Sequence, residues 1–387
     1  MDDQSTTTHQ MRIIDKFNQA GVCVMISVKQ LNYLTVIVIF STGILYLPSI
    51  AISQAGNGGW ISPFMSMSVG MIVLFIVFFF YHRFAPKTLT EYLPLLVGKW
   101  GAKILGLLYV FFFWTVGLKV IREITGIVRI TLLPNTPLIV ICFMIALTVI
   151  YGVYCGIEAL ARLVELLALI LPAMIIALMA GLMGFIHWDA FLPLMEFGWQ
   201  GVIRGAFMPS SWFGEVIVLA YLLPIVTMNK SSLPRFLLSL VVTAFLLSSL
   251  VILIIGVLGV SEAARIQLTV YELMRYVQFG AFLQHIDALF LLPWLMFMFL
   301  KALLFFHVTV IGFSQSMGLV HSQFTIIPFV LLSMVFSHWI FPDEFTLNQF
   351  LKIIWPNYAL FFELVIPIVL LLLYWTRRHK IQSMSLT

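Results

Sequence analysis

Residues 41–48 read Ser-Thr-Gly-Ile-Leu-Tyr-Leu-Pro and lie in the middle of a long apolar segment. The proline removes a backbone donor, and the glycine lowers the cost of non-helical dihedrals. Residues 209–215 read Pro-Ser-Ser-Trp-Phe-Gly-Glu and repeat this arrangement with a carboxylate at the end. In hydrocarbon, backbone that leaves the helix must be satisfied by protein, water or ligand. Both stretches therefore predict an interrupted membrane helix with a polar ligand beside it.

The composition around these stretches is that of a membrane protein. Of 387 residues, 62% are hydrophobic and 10% are charged, and the mean hydropathy is +1.08. A soluble domain carries about 25% charged residues, so the solvent for most of this chain is lipid. The net charge of +5 calls for no nucleic-acid partner, because basic residues collect on the cytoplasmic side of membrane proteins.

Ten segments are long and apolar enough for a membrane helix, which needs about 20 residues. They are numbered here as spans 1 to 10 and cover 31–54, 62–82, 101–131, 137–154, 159–184, 200–225, 233–258, 284–312, 324–341 and 356–376. The predicted fold class is an all-α integral membrane protein. Its predicted parts are a cytoplasmic N-terminal segment (1–30), a ten-span membrane domain (31–376) and a cytoplasmic tail (377–387).

The distribution of basic residues sets the orientation. With the N-terminus inside, thirteen lysines and arginines lie in or near the cytoplasmic ends of the spans and four in or near the outer ends, which is a clear positive-inside bias. Both termini are therefore expected on the cytoplasmic side. In the outer segment 259–283, the spacing of Val270, Leu273, Met274 and Val277 predicts a short helix at the membrane surface.

The two interrupted spans stand first in each half if the ten spans form two sets of five. This is the sequence signature of an inverted-repeat transporter fold, in which broken helices hold the ligand near the midplane. The free N–H groups of a half-helix suit a carboxylate, and the exposed carbonyls suit an ammonium group. An α-amino acid satisfies both. The alternative is a plain proline kink, since Pro172, Pro293 and Pro367 also lie within spans.

The predicted ligand-binding residues are those of the two breaks. They are Thr42, Gly43, Ile44, Leu45, Ser210, Ser211, Trp212, Phe213, Gly214 and Glu215. Ionisable groups inside a membrane face a bundle interior or cavity and mark functional sites. Glu215 could hold a substrate amine, a proton or a structural water, or it could be a carboxylate that only bonds neighbouring helix ends.

Two further ionisable residues are candidates for a cation site or for coupling. Lys301 lies deep in span 8, where its ammonium could occupy a cation position permanently. Glu363 in span 10 could be the partner of Lys301 or could line an outer vestibule. In span 3, Lys119 and Glu123 are four residues apart, a spacing that predicts an ion pair on one helix face.

The sequence argues against an enzyme and against a bound cofactor or metal. It contains no phosphate-binding loop and no metalloprotease, hydrolase or dinucleotide motif. Cys23, Cys142 and Cys155 show neither a CxxC pair nor a ligand-like spacing with histidine, so they are predicted to be small apolar residues of helices.

Several short motifs resemble the B subunit of bacterial spore germinant receptors, a family within the amino acid–polyamine–organocation transporter superfamily. They are Ile26–Gln30 (ISVKQ), Gly43–Ala51 (GILYLPSIA), Trp60–Ser62, Phe213–Glu215 (FGE) and Trp355-Pro356. The resemblance implies a LeuT-like fold with a site at spans 1 and 6, and residence in the spore inner membrane. It also implies assembly with a larger A-type membrane subunit and a C-type lipoprotein.

Three functions remain open at this stage. The first is a subunit that senses a nutrient germinant, an amino acid, and relays a conformational change to its partners. The second is a proton-coupled amino-acid transporter or exchanger. The third is a structural membrane scaffold, which the paired breaks disfavour. The sequence does not separate the first two, because a sensor can keep the binding pocket of a transporter.

Overall fold

Helices make up nearly all of the chain in a computed structural model, which describes residues 26–226, 232–266, 268–276 and 286–384. The helices of spans 1 to 5 are Val28–Ala55, Ser62–Phe84, Leu89–Thr131, Leu138–Tyr154 and the pair Gly156–Leu167 and Ile170–Leu182. Those of spans 6 to 10 are Gly198–Gly214 with Leu219–Leu222, then Ser232–Leu258, Ile286–Met317, Ile326–Ile340 and the series Trp355–Leu360 and Ile366–Met384. Shorter helices at Val260–Ala263, Thr269–Tyr276 and Glu344–Gln349 join the spans.

Every predicted span coincides with helix over the residues that the structure describes, but the number of crossings stays a prediction. By length and composition, eight helical stretches of the described residues can cross a membrane. One of them, Val28–Phe84, contains both span 1 and span 2, and Leu138–Tyr154 is a shorter apolar helix. The orientation also stays a prediction, since most of the predicted N-terminal segment (1–25) and the last residues of the tail (385–387) lie outside the described residues.

Span 6 lies at the centre of the bundle and span 9 at its periphery. In span 6, 94% of the most apolar stretch is buried by other parts of the protein, against 28% in span 9. Span 1 is likewise enclosed, because every residue from Leu34 to Pro48 except Val36 is buried. The two stretches singled out in the sequence therefore lie in the core, where lipid does not reach.

The interruption predicted in span 1 is wrong for this structure. The helix continues from Val28 to Ala55 with Pro48 inside it. A proline removes one hydrogen bond, here to the carbonyl of Ile44, and a helix can absorb this loss as a bend without unwinding. Gly43 serves close packing instead of unusual dihedrals, since an added Cβ would lie 3.1 Å from Leu247 of span 7.

Span 6 does change at the predicted place. Its α-helix runs through Pro209 and ends at Gly214, and the chain then tightens into a 3₁₀ turn at Glu215–Val218. Short helical turns follow, at Leu219–Leu222 and at Leu223–Ile225. Backbone hydrogen bonding changes register at Gly214–Glu215 without opening, so the half-helix ends expected to hold a zwitterion are not exposed in this conformation.

Glycines and hydroxyls pack span 6 against spans 1 and 2. A Cβ at Gly201 would lie 2.8 Å from the carbonyl oxygen of Gln54. On the other side, the Ser66 hydroxyl of span 2 donates a hydrogen bond to the carbonyl of Ala206 at 2.9 Å. Small residues allow helix backbones to approach closely in membranes, and Gly201 with Gly205 works in this way.

Two polar contacts close the two ends of the bundle. The first, the N-terminal clasp, consists of Lys29 and Gln30 of span 1 and Glu165 of span 5. The Lys29 ammonium lies 3.2 Å from Glu165 Oε1, and the Gln30 amide donates to Glu165 Oε2 at 3.1 Å. The Lys29 and Glu165 side chains are both exposed.

The second contact, the loop clasp, joins Arg122 of span 3 to the segment between spans 9 and 10. The guanidinium donates to Glu344 Oε1 at 2.6 Å and to the carbonyl of Phe341 at 2.8 Å. Asp343 caps the helix that begins at Glu344, and the backbone N–H of Thr346 that bonds it holds the pKa of Asp343 below its ordinary value.

The short helix predicted in segment 259–283 is present at Thr269–Tyr276. It packs against span 1 and buries Val270 and Leu273. The same predicted face included Met274 and Val277. Val277 lies outside the described residues, and the side chain of Met274 lies outside the described side chains.

Close packing at Gly201 predicts the outcome of a simple substitution. Gly201→Ala should lower the free energy of unfolding by about 1–3 kcal/mol, because the added methyl meets backbone that cannot move away. The measurement is the thermal unfolding midpoint of the purified chain in detergent. Gly184→Ala is the matched control, since a Cβ at Gly184 meets nothing within 4 Å. Equal midpoints for the two variants would contradict the close contact.

Candidate functional site

An ion pair between Glu215 and Lys301 lies at the centre of the bundle. Glu215 is the first residue after the span 6 helix, so the change to the 3₁₀ turn directs its side chain toward span 8. Its Oε2 lies 2.6 Å from the Lys301 ammonium, and both side chains are fully buried. Lys301 also donates a hydrogen bond to the Thr42 hydroxyl of span 1 at 2.8 Å. This one contact connects spans 1, 6 and 8.

A second lysine approaches the same carboxylate. The Lys119 ammonium of span 3 lies 3.9 Å from Glu215 Oε1 and 3.9 Å from the centre of the Trp355 ring of span 10. The predicted ion pair of Lys119 with Glu123 is therefore wrong. Tertiary packing places a carboxylate of another span nearer to the ammonium, and neither oxygen of Glu123 accepts a hydrogen bond.

Glu363 reaches the site from span 10. It lies in a π-helical turn at Phe361–Val365, which turns its side chain toward span 6. A Cβ at Gly214 would collide with Glu363 Oε2, so the carboxylate occupies the space that this glycine leaves. Glu363 forms no ion pair with Lys301, and neither of its oxygens accepts a hydrogen bond among the described residues.

These side chains form one buried electrostatic group, named here the central cluster. It consists of Lys119, Glu123, Glu215, Lys301 and Glu363, each at most 1% exposed. Isolated buried charges are strongly destabilising, whereas paired ones can be retained. Lys301 supplies a fixed positive charge beside Glu215, so this carboxylate needs no added cation for its compensation.

A further contact between spans 8 and 1, not predicted from the sequence, supports the cluster. The indole of Trp294 donates a hydrogen bond to the carbonyl of Ser41 at 2.8 Å. Trp294 precedes Lys301 by seven residues, a spacing that places both on the same face of span 8. That spacing, with a polar tip on an otherwise apolar residue, is the signal that could have identified it.

The remaining predicted site residues do not join the cluster through their side chains. The hydroxyls of Ser210 and Ser211 donate to carbonyls of their own helix, at Ala206 and Met208. Trp212 is buried, and its ring centre lies 6.5 Å from that of Tyr46. The others contribute only buried apolar surface; they are Ile44, Leu45 and Phe213.

The space beside Glu215 is small. A cavity of about 10 Å³ lies between spans 1, 6 and 8, and Thr35, Val38, Leu219 and Leu304 line it together with Glu215. This is about the space that one water molecule needs. The conformation is therefore closed at this point, and an amino acid can enter only if these spans move apart.

Comparison with known proteins identifies the family. A family model described as "Spore germination protein" matches residues 25–345, most of the chain. The chain belongs to this family. The matched region includes Thr42, Lys119, Glu215 and Lys301, but ends before Glu363.

Curated relatives agree with this assignment. Spore germination protein KB of Bacillus subtilis is 24% identical over 293 residues, which are 75% of this chain and 78% of that protein. Spore germination protein YndE of the same organism is 24% identical, with 73% and 79% covered. Spore germination protein B2, also of Bacillus subtilis, is 25% identical, with 67% and 72% covered.

A solved structure confirms the predicted fold class. It is that of Mhp1, a nucleobase-cation-symport-1 family transporter, in a closed conformation with bromovinylhydantoin bound. Its TM-score to this chain is 0.51 at 12% sequence identity, with 85% of this chain and 75% of that chain covered. The chain is an all-α membrane protein with a LeuT-like transporter fold. Neither its family nor its fold is that of an enzyme.

The Glu215–Lys301 pair predicts a specific pattern of stabilities. Lys301→Met should destabilise the protein by about 3–5 kcal/mol, because it leaves a buried carboxylate without its partner. Adding Glu215→Leu should recover part of this loss, since the carboxylate left without Lys301 is then absent; the recovery is incomplete because Lys119 loses the same carboxylate. Unfolding midpoints of the two single variants and the double variant measure the effect.

The exposed pair of the N-terminal clasp provides the control. Lys29→Met should leave the midpoint nearly unchanged, because solvent screens exposed ion pairs. If Lys301→Met were as mild as Lys29→Met, the buried pair would not stabilise the closed bundle.

Proposed function

We propose that the chain is the nutrient-sensing membrane subunit of a spore germination receptor. In this proposal it binds a small polar germinant, an amino acid, beside spans 1 and 6 and relays a conformational change to partner subunits. The observation that carries the proposal is the Thr42–Lys301–Glu215 contact, which joins spans 1, 8 and 6 inside the buried core of the bundle. Membership of the spore germination protein family supports the context.

The closed cavity is consistent with a sensing role. A ligand larger than a water molecule must separate span 1 from span 6, and therefore must rearrange the contacts of Thr42 and Lys301. A ligand that binds the separated state better shifts the population toward it. The chemistry available to such a ligand is a carboxylate at Glu215, two lysine ammoniums and a threonine hydroxyl, which suits a zwitterion.

The proposed partners and location follow from the family resemblance. They are an A-type membrane subunit and a C-type lipoprotein. The proposed location is the spore inner membrane, with both termini on the side of the spore core. Copurification of these subunits with a tagged copy of this chain from spores tests the assembly.

Proton-coupled amino-acid transport is the second candidate, because the fold is shared with a transporter. Uptake of radiolabelled amino acids into proteoliposomes separates the two functions. Ligand binding without uptake by the isolated chain favours the sensor, and uptake that depends on a proton gradient favours the transporter.

Thr42 provides the sharpest test of the site. A panel of amino acids scored by thermal stabilisation should contain one that stabilises the purified wild-type chain, by about 2.7 kcal/mol at a concentration of 100 Kd. Thr42→Val keeps the shape of the residue and removes the hydrogen bond from Lys301, so it should abolish or strongly reduce this shift.

The matched control is Thr148→Val, an exposed threonine of span 4 whose hydroxyl bonds only its own helix. It should retain the full shift. An equal stability shift in wild-type, Thr42→Val and Thr148→Val protein would show that the ligand does not bind at the contact between spans 1 and 8.

A further inference from the structure

The charges of the central cluster do not balance. It contains three carboxylates, Glu123, Glu215 and Glu363, and two ammoniums, Lys119 and Lys301, all buried. Arg122 is the remaining buried base among the described side chains, and its charge is already matched by Glu344 in the loop clasp. The cluster as described therefore lacks one positive charge.

Glu363 is a buried carboxylate without an ion-pair partner among the described residues. Like those of Glu123, its two oxygens are buried and accept no hydrogen bond. The π-helical turn that carries it frees backbone groups, and the Tyr109 hydroxyl bonds the carbonyl of Phe362 at 3.0 Å. Single π-helical turns occur frequently at functional sites. This turn brings the carboxylate against Gly214, directly before Glu215 in the chain.

The groups around Glu363 come from every span that packs against it. Span 6 contributes Glu215, span 3 contributes Lys119 and Tyr109, and span 8 contributes Lys301. Span 2 has no ionisable residue before Tyr81. Glu363 lies against Gly214, directly before Glu215 in the chain, so a second carboxylate is close by and disfavours an ionised Glu363.

Glu123 differs from Glu363 in this respect. Lys119 lies four residues before it on the same helix, so a positive charge stands one helical turn away. When Glu123 and Glu215 are ionised and Lys119 and Lys301 are protonated, the two negative and two positive charges cancel. The fifth residue, Glu363, then has no opposite charge left.

We propose that Glu363 is a proton-binding site that carries one proton in the closed conformation. A proton from water bonds to one carboxylate oxygen, and the neutral acid completes the charge balance of the cluster. A metal ion fits poorly, because Ca²⁺ takes about six to eight oxygen ligands and the described residues contain no group of three or more His, Cys, Asp or Glu side chains that could hold one. The site is independent of which small molecule the chain binds.

Infrared spectroscopy of the purified full chain in lipid nanodiscs tests this proposal directly. Near neutral pH, the wild-type protein should show the C=O stretch of a buried protonated carboxyl group, with slow exchange in D₂O. Glu363→Gln should lose this band. Glu262→Gln should keep it, because Glu262 is an exposed carboxylate outside the spans.

A stability measurement covers the case in which a variant folds poorly. Above neutral pH, the unfolding equilibrium constant of the wild-type chain should rise by about tenfold per pH unit more than that of Glu363→Gln, since one bound proton is released on unfolding. This difference should be the same in sodium, potassium and choline buffers.

Three results would overturn the proposal. One is the absence of a protonated-carboxyl band in wild-type protein. Another is retention of the band in Glu363→Gln, which would place the proton on a different carboxyl group. The third is a stability that follows the sodium or potassium concentration and not the pH, which would make the missing charge a metal ion.

Discussion

A buried charged group is stable only beside a group of opposite charge, and this constraint is clearest at Glu215. Its carboxylate is fully buried and draws an ammonium from span 3 and another from span 8. The spans cannot separate without exposing or unpairing these groups. The hydrogen bond from Lys301 to Thr42 uses the same ammonium, so span 1 is held by this arrangement as well.

Much of the fold could be predicted from the sequence, because a long apolar segment with few charges is stable only as a helix inside a lipid bilayer. Glu215 and Lys301 could also be singled out, since an ionisable residue within such a run needs a reason to be there. Their pairing with each other could not be predicted. Spacing along one helix favoured Glu123 as the partner of Lys119, and the carboxylate of another span proved to be nearer.

Span 1 shows a different limit of sequence reasoning. Gly43 and Pro48 permit a break but do not require one, and packing decides between the possibilities. Here the side chain of Leu247 fills the space beside Gly43, and the helix continues through both residues. Glu363 could be noticed but not placed, because nothing in the local sequence indicates the π-helical turn that aims it at Gly214.

The two clasps give the closed bundle unequal ends. In the loop clasp, the guanidinium of Arg122 is buried and would lose both a carboxylate and a carbonyl if the spans parted. In the N-terminal clasp, Lys29 and Glu165 already face solvent and lose little free energy when water replaces their contact. We therefore expect the N-terminal clasp to open at a lower free-energy cost than the loop clasp, and salt to lower that cost further. The two ends of the closed bundle therefore differ in the free energy that it takes to part the spans.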